Sequence, residues 1–372
     1  MVTVFLQNIH LKNFRNFQNE NLNFHPRFNL IIGKNAQGKT NILEAIYYLS
    51  YLNSFRTSSK KDLIYYQNEE CVLQAQFLKN GLSYNINHSL GKQKGLKLNG
   101  KKPKLYDEYL GLVPVLLFEP KDVYLFRDSP GTRRKFLNRA IFLQKPELVR
   151  LIRDYENIVQ QKNRLLKESG FGDEHIEVWN DRLVTVGAKL MRERLDWICE
   201  VNGLLPTEYE NVSGSDEKLT LVYKANVVCE KNDDEATLAT RINQALSEKR
   251  NEERRRGEAL VGPHRDDWQV CLYDRIVGDF GSQGENRSAI IALKSAQIHM
   301  FEKKFGEPPL FLLDDVASEL DPTREKSLFE YLRSTQGQVF ISTTEPAHVE
   351  PYFCGEGTSF LVEAGKGRVV VN

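Results

Sequence analysis

Residues 33–40 read Gly33-Lys34-Asn35-Ala36-Gln37-Gly38-Lys39-Thr40, a G-x-x-x-x-G-K-T pattern. An apolar run, Phe28–Ile32, precedes this stretch, and a helix-forming run, Asn41–Leu49, follows it. Strand, glycine-containing loop and helix in this order are the context of a phosphate-binding loop (P-loop), because the glycines let successive N–H groups point at phosphate oxygens. The pattern predicts that Lys39 reaches the β- and γ-phosphates of a nucleotide and that Thr40 ligates Mg²⁺.

A second apolar run, Pro309–Leu313, ends far downstream at Asp314-Asp315. In open α/β sheets, ligands bind beyond the carboxyl ends of the strands. We therefore predict Asp314 in the Mg²⁺ shell, since this ion takes oxygen ligands. Asp315 suits the group that orients or deprotonates the attacking water. The alternative is that the two aspartates only cap a loop.

Residues 282–288 read Ser282-Gln283-Gly284-Glu285-Asn286-Arg287-Ser288 and come directly before a long helical run, Ser288–Phe305. A hydroxyl, a glycine and a helix N-terminus together suit phosphate oxygens. By spacing alone, an ordinary N-cap explains the same residues.

The elements predict an α/β fold in which a helical segment interrupts a strand-rich head. Two-residue alternation and short apolar runs indicate strands, here at residues 2–11, 21–25, 28–32, 71–77, 82–90, 114–118, 219–228, 268–272, 309–313, 339–341, 360–362 and 368–371. Asn99-Gly100 predicts a hairpin turn. Between the strands, apolar seams predict amphipathic helices from Arg133 to Leu190, with a turn at residues 169–172, and another helix at 236–255. We assign residues 1–119 and 256–372 to the head and 120–255 to the insertion.

Composition limits the class of protein. The chain has 372 residues, 41% of them hydrophobic and 27% charged, which is typical of a soluble globular protein with about two domains. No apolar run approaches the roughly 20 residues that a bilayer span needs, and the first residues lack a signal-peptide pattern. The five cysteines are widely spaced, which fits a reducing cytoplasm.

The formal net charge is only +1, so a nucleic-acid site has to be a local basic patch. Residues 81–104 hold six lysines and no acidic residue, among them Lys97, Lys101 and Lys102 around the predicted hairpin. A second basic group includes Arg133 and Arg134. These residues could form a local phosphate-binding surface, and any nucleic-acid binding there is expected to be directed at the backbone and sensitive to salt. The alternative is a solvated lysine-rich edge that discourages strand pairing.

The motifs together carry a resemblance to known families. The P-loop, the segment Ser282–Arg287 and the run Leu312–Asp321 resemble the Walker A, signature, and Walker B plus D-loop motifs of SMC-type ABC ATPases. Further motifs resemble the RecF family of bacterial recombination mediators more narrowly, and they are found at residues 13–17, 54–57, 118–122, 129–137 and 262–267. The resemblance covers nearly the whole chain and implies an ABC-type P-loop ATPase head, with mixed sheets around the P-loop helix and an inserted helical domain.

The resemblance also implies a mechanism. Two heads dimerise around ATP, and the signature segment of one copy closes on the γ-phosphate held by Lys39 and Thr40 of the other. It implies that Asn41, Arg15, Ser282, Gly284 and Glu285 join residues 33–40 in binding the nucleotide. It further implies gapped or single-strand/double-strand junction DNA as ligand and RecR, RecO and indirectly RecA as partners, in gap repair, fork maintenance and the SOS response. We expect slow, DNA-stimulated ATP hydrolysis that acts as a switch.

Some positions depart from the broader ABC pattern. Ala36 stands where many relatives have glycine, and Asp315 stands where a glutamate is usual. Thr343 or Thr344 takes the place of the switch histidine. No glutamine follows Phe118 for a Q-loop, where Glu119 or Asp122 could serve.

Two other functions stay open at this point. The chain could be the nucleotide-binding subunit of a membrane ABC transporter, although its signature and long insertion argue against this. It could also be a nuclease-coupled ATPase, although the sequence has no second acidic cluster to hold two catalytic metals.

The residues His264-Arg265-Asp266-Asp267 could be mistaken for a metal site. One histidine with two acidic residues fits an ion-paired turn better.

Overall fold

The structure is a computed structural model that describes residues 4–92, 94–104, 109–168, 173–316, 321–353 and 355–370. The chain forms two compact units, residues 1–122 with 301–372 and residues 123–300. Residues 256–300, assigned above to the head, belong to the second of these units. The division into a head and an insertion at residues 119/120 and 255/256 stays a prediction.

The elements of the described residues follow in chain order. The strands are β1 (Val4–Phe14), β2 (Phe17–Asn23), β3 (Phe28–Ile32), β4 (Glu70–Lys79), β5 (Leu82–Gly91), β6 (Gly95–Leu98), β7 (Val115–Phe118), β8 (Leu219–Lys224), β9 (Asp267–Leu272), β10 (Arg275–Ile276), β11 (Leu310–Asp314), β12 (Val339–Thr343), β13 (Gly357–Glu363) and β14 (Lys366–Val370). The helices are α1 (Lys39–Tyr51), α2 (Pro130–Gln144), α3 (Val149–Lys167), α4 (Asp173–Asn202), α5 (Leu205–Ser213), α6 (Glu235–Arg256), α7 (Val277–Phe280), α8 (Gln283–Phe305) and α9 (Pro322–Ser334).

Most predicted elements are confirmed, and the differences have local causes. The second strand is β2 rather than residues 21–25, because a tight turn after Phe14 pairs that residue with Phe17. Helix α8 begins five residues before the predicted start, at Gln283. Helices α5, α7 and α9 and the short strand β10 were not predicted. The turn predicted at residues 169–172 lies outside the described residues.

The first unit contains two sheets. One has the order β14-β13-β3-β12-β11-β7, and its five strands from β13 to β7 are parallel. The other is antiparallel, with the order β2-β1-β4-β5-β6. Helix α1 contacts strands of both sheets, and ten of its thirteen residues are buried. A helix that is buried on nearly all sides occupies a core position, and the predicted P-loop leads directly into the first turn of this helix.

The second unit is mainly helical around the three-stranded sheet β10-β9-β8. The seams predicted on α3 and α4 pack against α6 in one core, to which Tyr155, Leu183 and Ile242 contribute. These apolar faces are therefore ordinary core packing. A buried ion pair also joins α3 to α6, with Lys162 Nζ and Glu253 Oε2 2.7 Å apart.

Candidate nucleotide-binding site

The loop between β3 and α1 has two residues in the left-handed backbone region. Gly38 has φ of 120°, and a Cβ there would lie 2.8 Å from Asn16 Nδ2, so this position requires glycine. Ala36 has φ of 66° and is exposed. An alanine is tolerated at residue 36 because its Cβ points to solvent, and its cost is only that of the backbone conformation, about 1 kcal/mol.

Lys39 begins α1, and its ammonium group is held over the loop. Its Nζ donates to the carbonyl oxygens of Gly33 and Lys34 at 2.6 and 3.1 Å. The side chain is buried, and burial lowers the pKa of Lys39, while the carboxylates of Asp315 and Asp314 oppose that shift. Two nearby aspartates thus help to keep a buried lysine charged at the mouth of the loop.

Strand order brings Asp314 to the P-loop. Because β12 lies between β3 and β11, the carboxyl ends of these three parallel strands meet at one edge. Thr40 Oγ1 donates to Asp314 Oδ1 at 2.8 Å, and Ser342 Oγ donates to the same oxygen at 2.7 Å. The threonine hydroxyl and the aspartate carboxylate are hard oxygen ligands of the kind Mg²⁺ takes, so these residues fit the predicted ion.

Ser342 also fixes the backbone beyond the Walker B strand. The N–H of Asp315 lies 3.1 Å from Ser342 O and 3.0 Å from Ser342 Oγ. Asp315 itself has φ of 48°, a left-handed conformation that is uncommon for a residue other than glycine. Ser342 was not among the site residues predicted from the sequence. The one available signal was its place at the end of an apolar strand, next to Thr343. The predicted D-loop residues 317–320 lie outside the described residues.

A buried carboxylate on α1 anchors the motif at residues 13–17. Glu44 has no exposed surface, and Arg15 Nε and Nη2 donate to its two oxygens at 2.7 and 2.6 Å. The remaining nitrogen of Arg15, Nη1, donates to the Asp62 carbonyl at 2.7 Å. The structure thus gives Arg15 partners within the protein, and its predicted contact with a nucleotide is untested.

The motif at residues 54–57 joins the same carboxylate. Ser54 Oγ donates to Glu44 Oε1 at 2.5 Å, and Arg56 Nη1 lies 3.5 Å from Glu44 Oε2. Arg56 Nη1 also donates to Asn41 Oδ1 at 2.7 Å. Asn41 in turn donates to Asn16, whose Nδ2 bonds the carbonyl oxygen of Gln37 in the loop. A chain of polar contacts, one ion pair followed by hydrogen bonds, therefore runs from the buried Glu44 to the P-loop backbone.

The predicted signature segment belongs to the second unit and starts α8. Ser282 and Gln283 are exposed, and Gly284 and Glu285 are partly exposed. Ser282 Oγ accepts the Glu285 N–H at 3.2 Å, while Glu285 Oε2 accepts the Ser282 N–H at 2.6 Å. This reciprocal pair is a capping box, so the N-cap interpretation is correct for Ser282 and leaves its role toward phosphate untested.

The two basic groups differ in their surroundings. Lys97, Lys101 and Lys102 are exposed around the turn after β6. Arg133, in contrast, makes a two-pronged ion pair with Asp267 at 2.7 and 2.5 Å, and Arg134 donates to the Asp266 carbonyl at 2.7 Å. The predicted DNA contacts of Arg133 and Arg134 would therefore have to coexist with bonds inside the second unit.

The segment around His264 is a structural turn. Asp266 is fully buried and accepts bonds from Arg194 Nη1 at 3.1 Å and from the Asn226 N–H at 2.7 Å. The ring nitrogens of His264 meet Tyr155 Oη at 2.8 Å and the Ala259 carbonyl at 3.0 Å. Burial lowers the pKa of His264 to about 4, so the ring is neutral at ordinary pH.

The residues considered for the Q-loop and switch positions mostly make contacts within the protein. Glu119 is buried and its carboxylate lies 2.9 Å from Lys121 Nζ, while Asp122 Oδ2 accepts the Glu119 N–H at 2.9 Å. Thr343 is buried and its Oγ1 accepts the Glu345 N–H at 3.0 Å, and Thr344 is exposed. Neither pair is assigned a role by these contacts.

The described residues contain neither a cluster of metal-binding side chains nor a helix able to span a bilayer. No group of three or more His, Cys, Asp or Glu side chains that could hold a metal ion occurs within them. None of the helices in that part of the chain combines the length and the apolar content that a bilayer span requires.

Comparison with known proteins agrees with the arrangement of the motifs. The family described as RecF/RecN/SMC N-terminal domain matches residues 5–352. DNA replication and repair protein RecF of Geotalea uraniireducens (strain Rf4) is 35% identical over 362 residues, which are 97% of this chain and 99% of the relative. The corresponding protein of Syntrophotalea carbinolica is 36% identical, over 97% of this chain and 98% of that one.

A solved structure of the recombination mediator protein RecF-ATP in the RecFOR pathway aligns over the full length of both chains, with a TM-score of 0.88 and 28% identity. The Smc head domain of Pyrococcus furiosus, at 14% identity and a TM-score of 0.55 over 99% of this chain and 96% of that one, shares the fold. The predicted ABC-type ATPase fold is thereby confirmed.

Proposed function

The chain belongs to the RecF family of DNA replication and repair proteins, and from this premise we propose an ATP-controlled, DNA-binding recombination mediator that works as a dimer. One observation carries the proposal: Lys39 and Thr40, at the start of α1, lie beside Asp314, at the end of β11, although the two segments are far apart in the sequence. The solved RecF-ATP structure supports ATP as the nucleotide.

The residues of the first unit suggest how ATP would be held. The backbone N–H groups of residues 33–38 and the start of α1 would bind phosphate oxygens, and the Lys39 ammonium group would move from the loop carbonyls to the β- and γ-phosphates. Thr40 and Asp314 would hold Mg²⁺, which supplies charge neutralisation of the phosphates. Asp315, fixed through its N–H by Ser342, would orient the attacking water.

Dimerisation would couple ATP to DNA. The N–H groups of Gln283 and Gly284, which lie between the two residues of the Ser282–Glu285 capping box, would donate to the γ-phosphate bound by a second copy. ATP then favours the dimer because it contacts both copies, which is a shift of population by differential binding. Slow hydrolysis, stimulated by DNA, would remove the γ-phosphate contact and release the dimer.

The hairpin lysines support a backbone-directed DNA site at gaps or single-strand/double-strand junctions. Action with RecR and RecO in the loading of RecA, at gaps and stalled forks and in the SOS response, belongs to the same proposal, as does a cytoplasmic location. The RecFOR pathway named for the solved relative supports the first two partners.

Sedimentation tests the proposal. Wild type and Asp315→Asn are compared with ATP, ADP or no nucleotide, with and without gapped duplex DNA, at about 50 and 200 mM salt. We expect dimers only with ATP, more of them with DNA, and longer-lived dimers for Asp315→Asn. DNA binding should fall steeply between the two salt concentrations, because phosphate contacts release counterions.

Other outcomes would contradict the proposal. A monomer under every condition removes the shared-site mechanism, and DNA binding that is equal at both salt concentrations removes backbone-directed recognition. The membrane-transporter alternative gains no support from the relatives described above. Plasmid cleavage in Mg²⁺ would reopen the nuclease alternative.

A further inference from the structure

The start of α8 has an electrostatic feature that its capping box alone does not require. Glu285 closes the box by accepting the Ser282 N–H at 2.6 Å. Its carboxylate is therefore held beside the exposed helix N-terminus. A negative charge there stabilises the helix of its own copy, but it would repel an anion that approaches the same terminus.

Arg275, on the short strand β10, contacts this carboxylate directly. Its Nη2 donates to Glu285 Oε1 at 2.5 Å and its Nη1 to Glu285 Oε2 at 3.2 Å. Nη1 also donates to the carbonyl oxygen of Phe280, at 3.2 Å, just before the signature segment. A further carboxylate, that of Glu217, lies 3.9 Å from Arg275 Nη2.

The guanidinium group thus neutralises the charge of Glu285, and both side chains remain partly exposed. The side chains of Arg275 and Glu285 are 40% and 23% exposed, so both are open to an approaching group. The bonds from Arg275, with those from Ser282, lower the pKa of Glu285 to about 2. The carboxylate is consequently charged at any working pH, and its neutralisation depends on Arg275.

We propose that Arg275 is a positioning residue that holds Glu285 in the capping box and cancels its charge, so that the start of α8 can receive the γ-phosphate bound by a second copy. The inference rests on the proposed ATP-driven dimer. In this arrangement Glu285 fixes the backbone of Ser282 through the capping box. Arg275 removes the electrostatic repulsion that a phosphate in front of Ser282 would otherwise meet. Without Arg275 the same capping box would present an uncompensated carboxylate to a polyanion.

The test is a charge-rescue cycle on the full-length protein. Wild type, Arg275→Ala, Glu285→Gln and the double variant Arg275→Ala/Glu285→Gln are compared for dimer formation with ATP and Mg²⁺ by sedimentation. We expect Arg275→Ala to weaken the dimer by about tenfold or more, because like charges a few ångströms apart repel strongly near a protein surface. The double variant should recover most of the loss, since glutamine also closes a capping box but carries no charge.

Two further readouts separate charge from structure. The deficit of Arg275→Ala should shrink at high salt, because exposed charges are screened, and ATP binding by the isolated copy should stay at the wild-type level. Arg164→Ala is the matched control, because it removes another Arg–Glu pair of the same unit, 2.9 Å apart. It should leave dimer formation unchanged.

The outcomes distinguish this inference from the proposed function. A wild-type dimer with ATP that is equally stable in Arg275→Ala overturns only the inference. A double variant as weak as Arg275→Ala also overturns it, because Arg275 would then act through the β9–β10 hairpin rather than through charge. A wild-type protein that stays monomeric with ATP overturns the proposed function and the inference with it.

Discussion

The two segments that we propose to contact phosphate are stabilised in different ways. The P-loop of the first unit is tied to its surroundings by buried groups, with Lys39 and Asp314 both less than a tenth exposed and Glu44 fully buried. The signature segment of the second unit begins with the exposed Ser282 and is ordered by a capping box and by Arg275 at the surface.

This difference indicates at which step, folding or association, each segment becomes buried. The geometry of the P-loop is built during folding, because its frame consists of core strands, a core helix and buried ion pairs. The signature segment is ordered by local surface contacts, and it becomes buried only if a second copy covers it. Substitutions in the first frame should therefore change folding or ATP binding, and those in the second should change association.

The largest expected effect is on the buried frame. Glu44→Ala should lower the free energy of unfolding by about 3 kcal/mol, because it leaves Arg15 without its buried partner. Denaturant unfolding measures this. Glu69→Ala, at an exposed pair with Lys92, should change stability by less than about 0.5 kcal/mol. A loss below about 1 kcal/mol for Glu44→Ala would mean that the frame around α1 is not what stabilises the loop.

A smaller effect is expected on ligand affinity. Lys39→Ala should weaken ATP binding by about 10–100-fold, because a hydrogen bond from a charged group contributes about 1.5–3 kcal/mol. Equilibrium binding of ATP at a protein concentration that keeps copies apart measures it. Lys326→Ala, at an exposed lysine on α9 of the same unit, is the control and should bind as wild type does. Equal losses in the two variants would contradict a specific role of Lys39.

The smallest effect concerns the loop backbone. Ala36→Gly should raise stability by about 0.5 kcal/mol, because it relieves about 1 kcal/mol of left-handed strain and loses part of that gain to the more flexible unfolded chain. Ala45→Gly, in the middle of α1, should have the opposite sign and cost about 1 kcal/mol. Thermal unfolding of both variants gives the comparison. A destabilisation of similar size at both positions would show that the conformation of residue 36 is not strained.

Prediction from sequence worked best where neighbours along the chain decide the outcome. The strand before the P-loop, the strand before Asp314 and the hairpin turn at Asn99-Gly100 are confirmed, because apolar runs and turn residues are local signals. The start of α8 was placed too late, since residues 283–287 have no apolar periodicity and begin a helix through the capping box of Ser282 and Glu285. Helix α9 was missed, although Asp321 caps it and Pro322 occupies its first turn.

The sequence by itself determined that this chain carries a P-loop and a Walker B strand, because spacing and residue type suffice for each. Only the tertiary structure decided that Ser342 bonds Asp314, since β12 comes between β3 and β11 only in the folded sheet. It also decided that Arg15, Ser54 and Arg56 all contact the carboxylate of Glu44. Periodicity reports which face of an element is buried, but it carries no information about which distant residue meets it there.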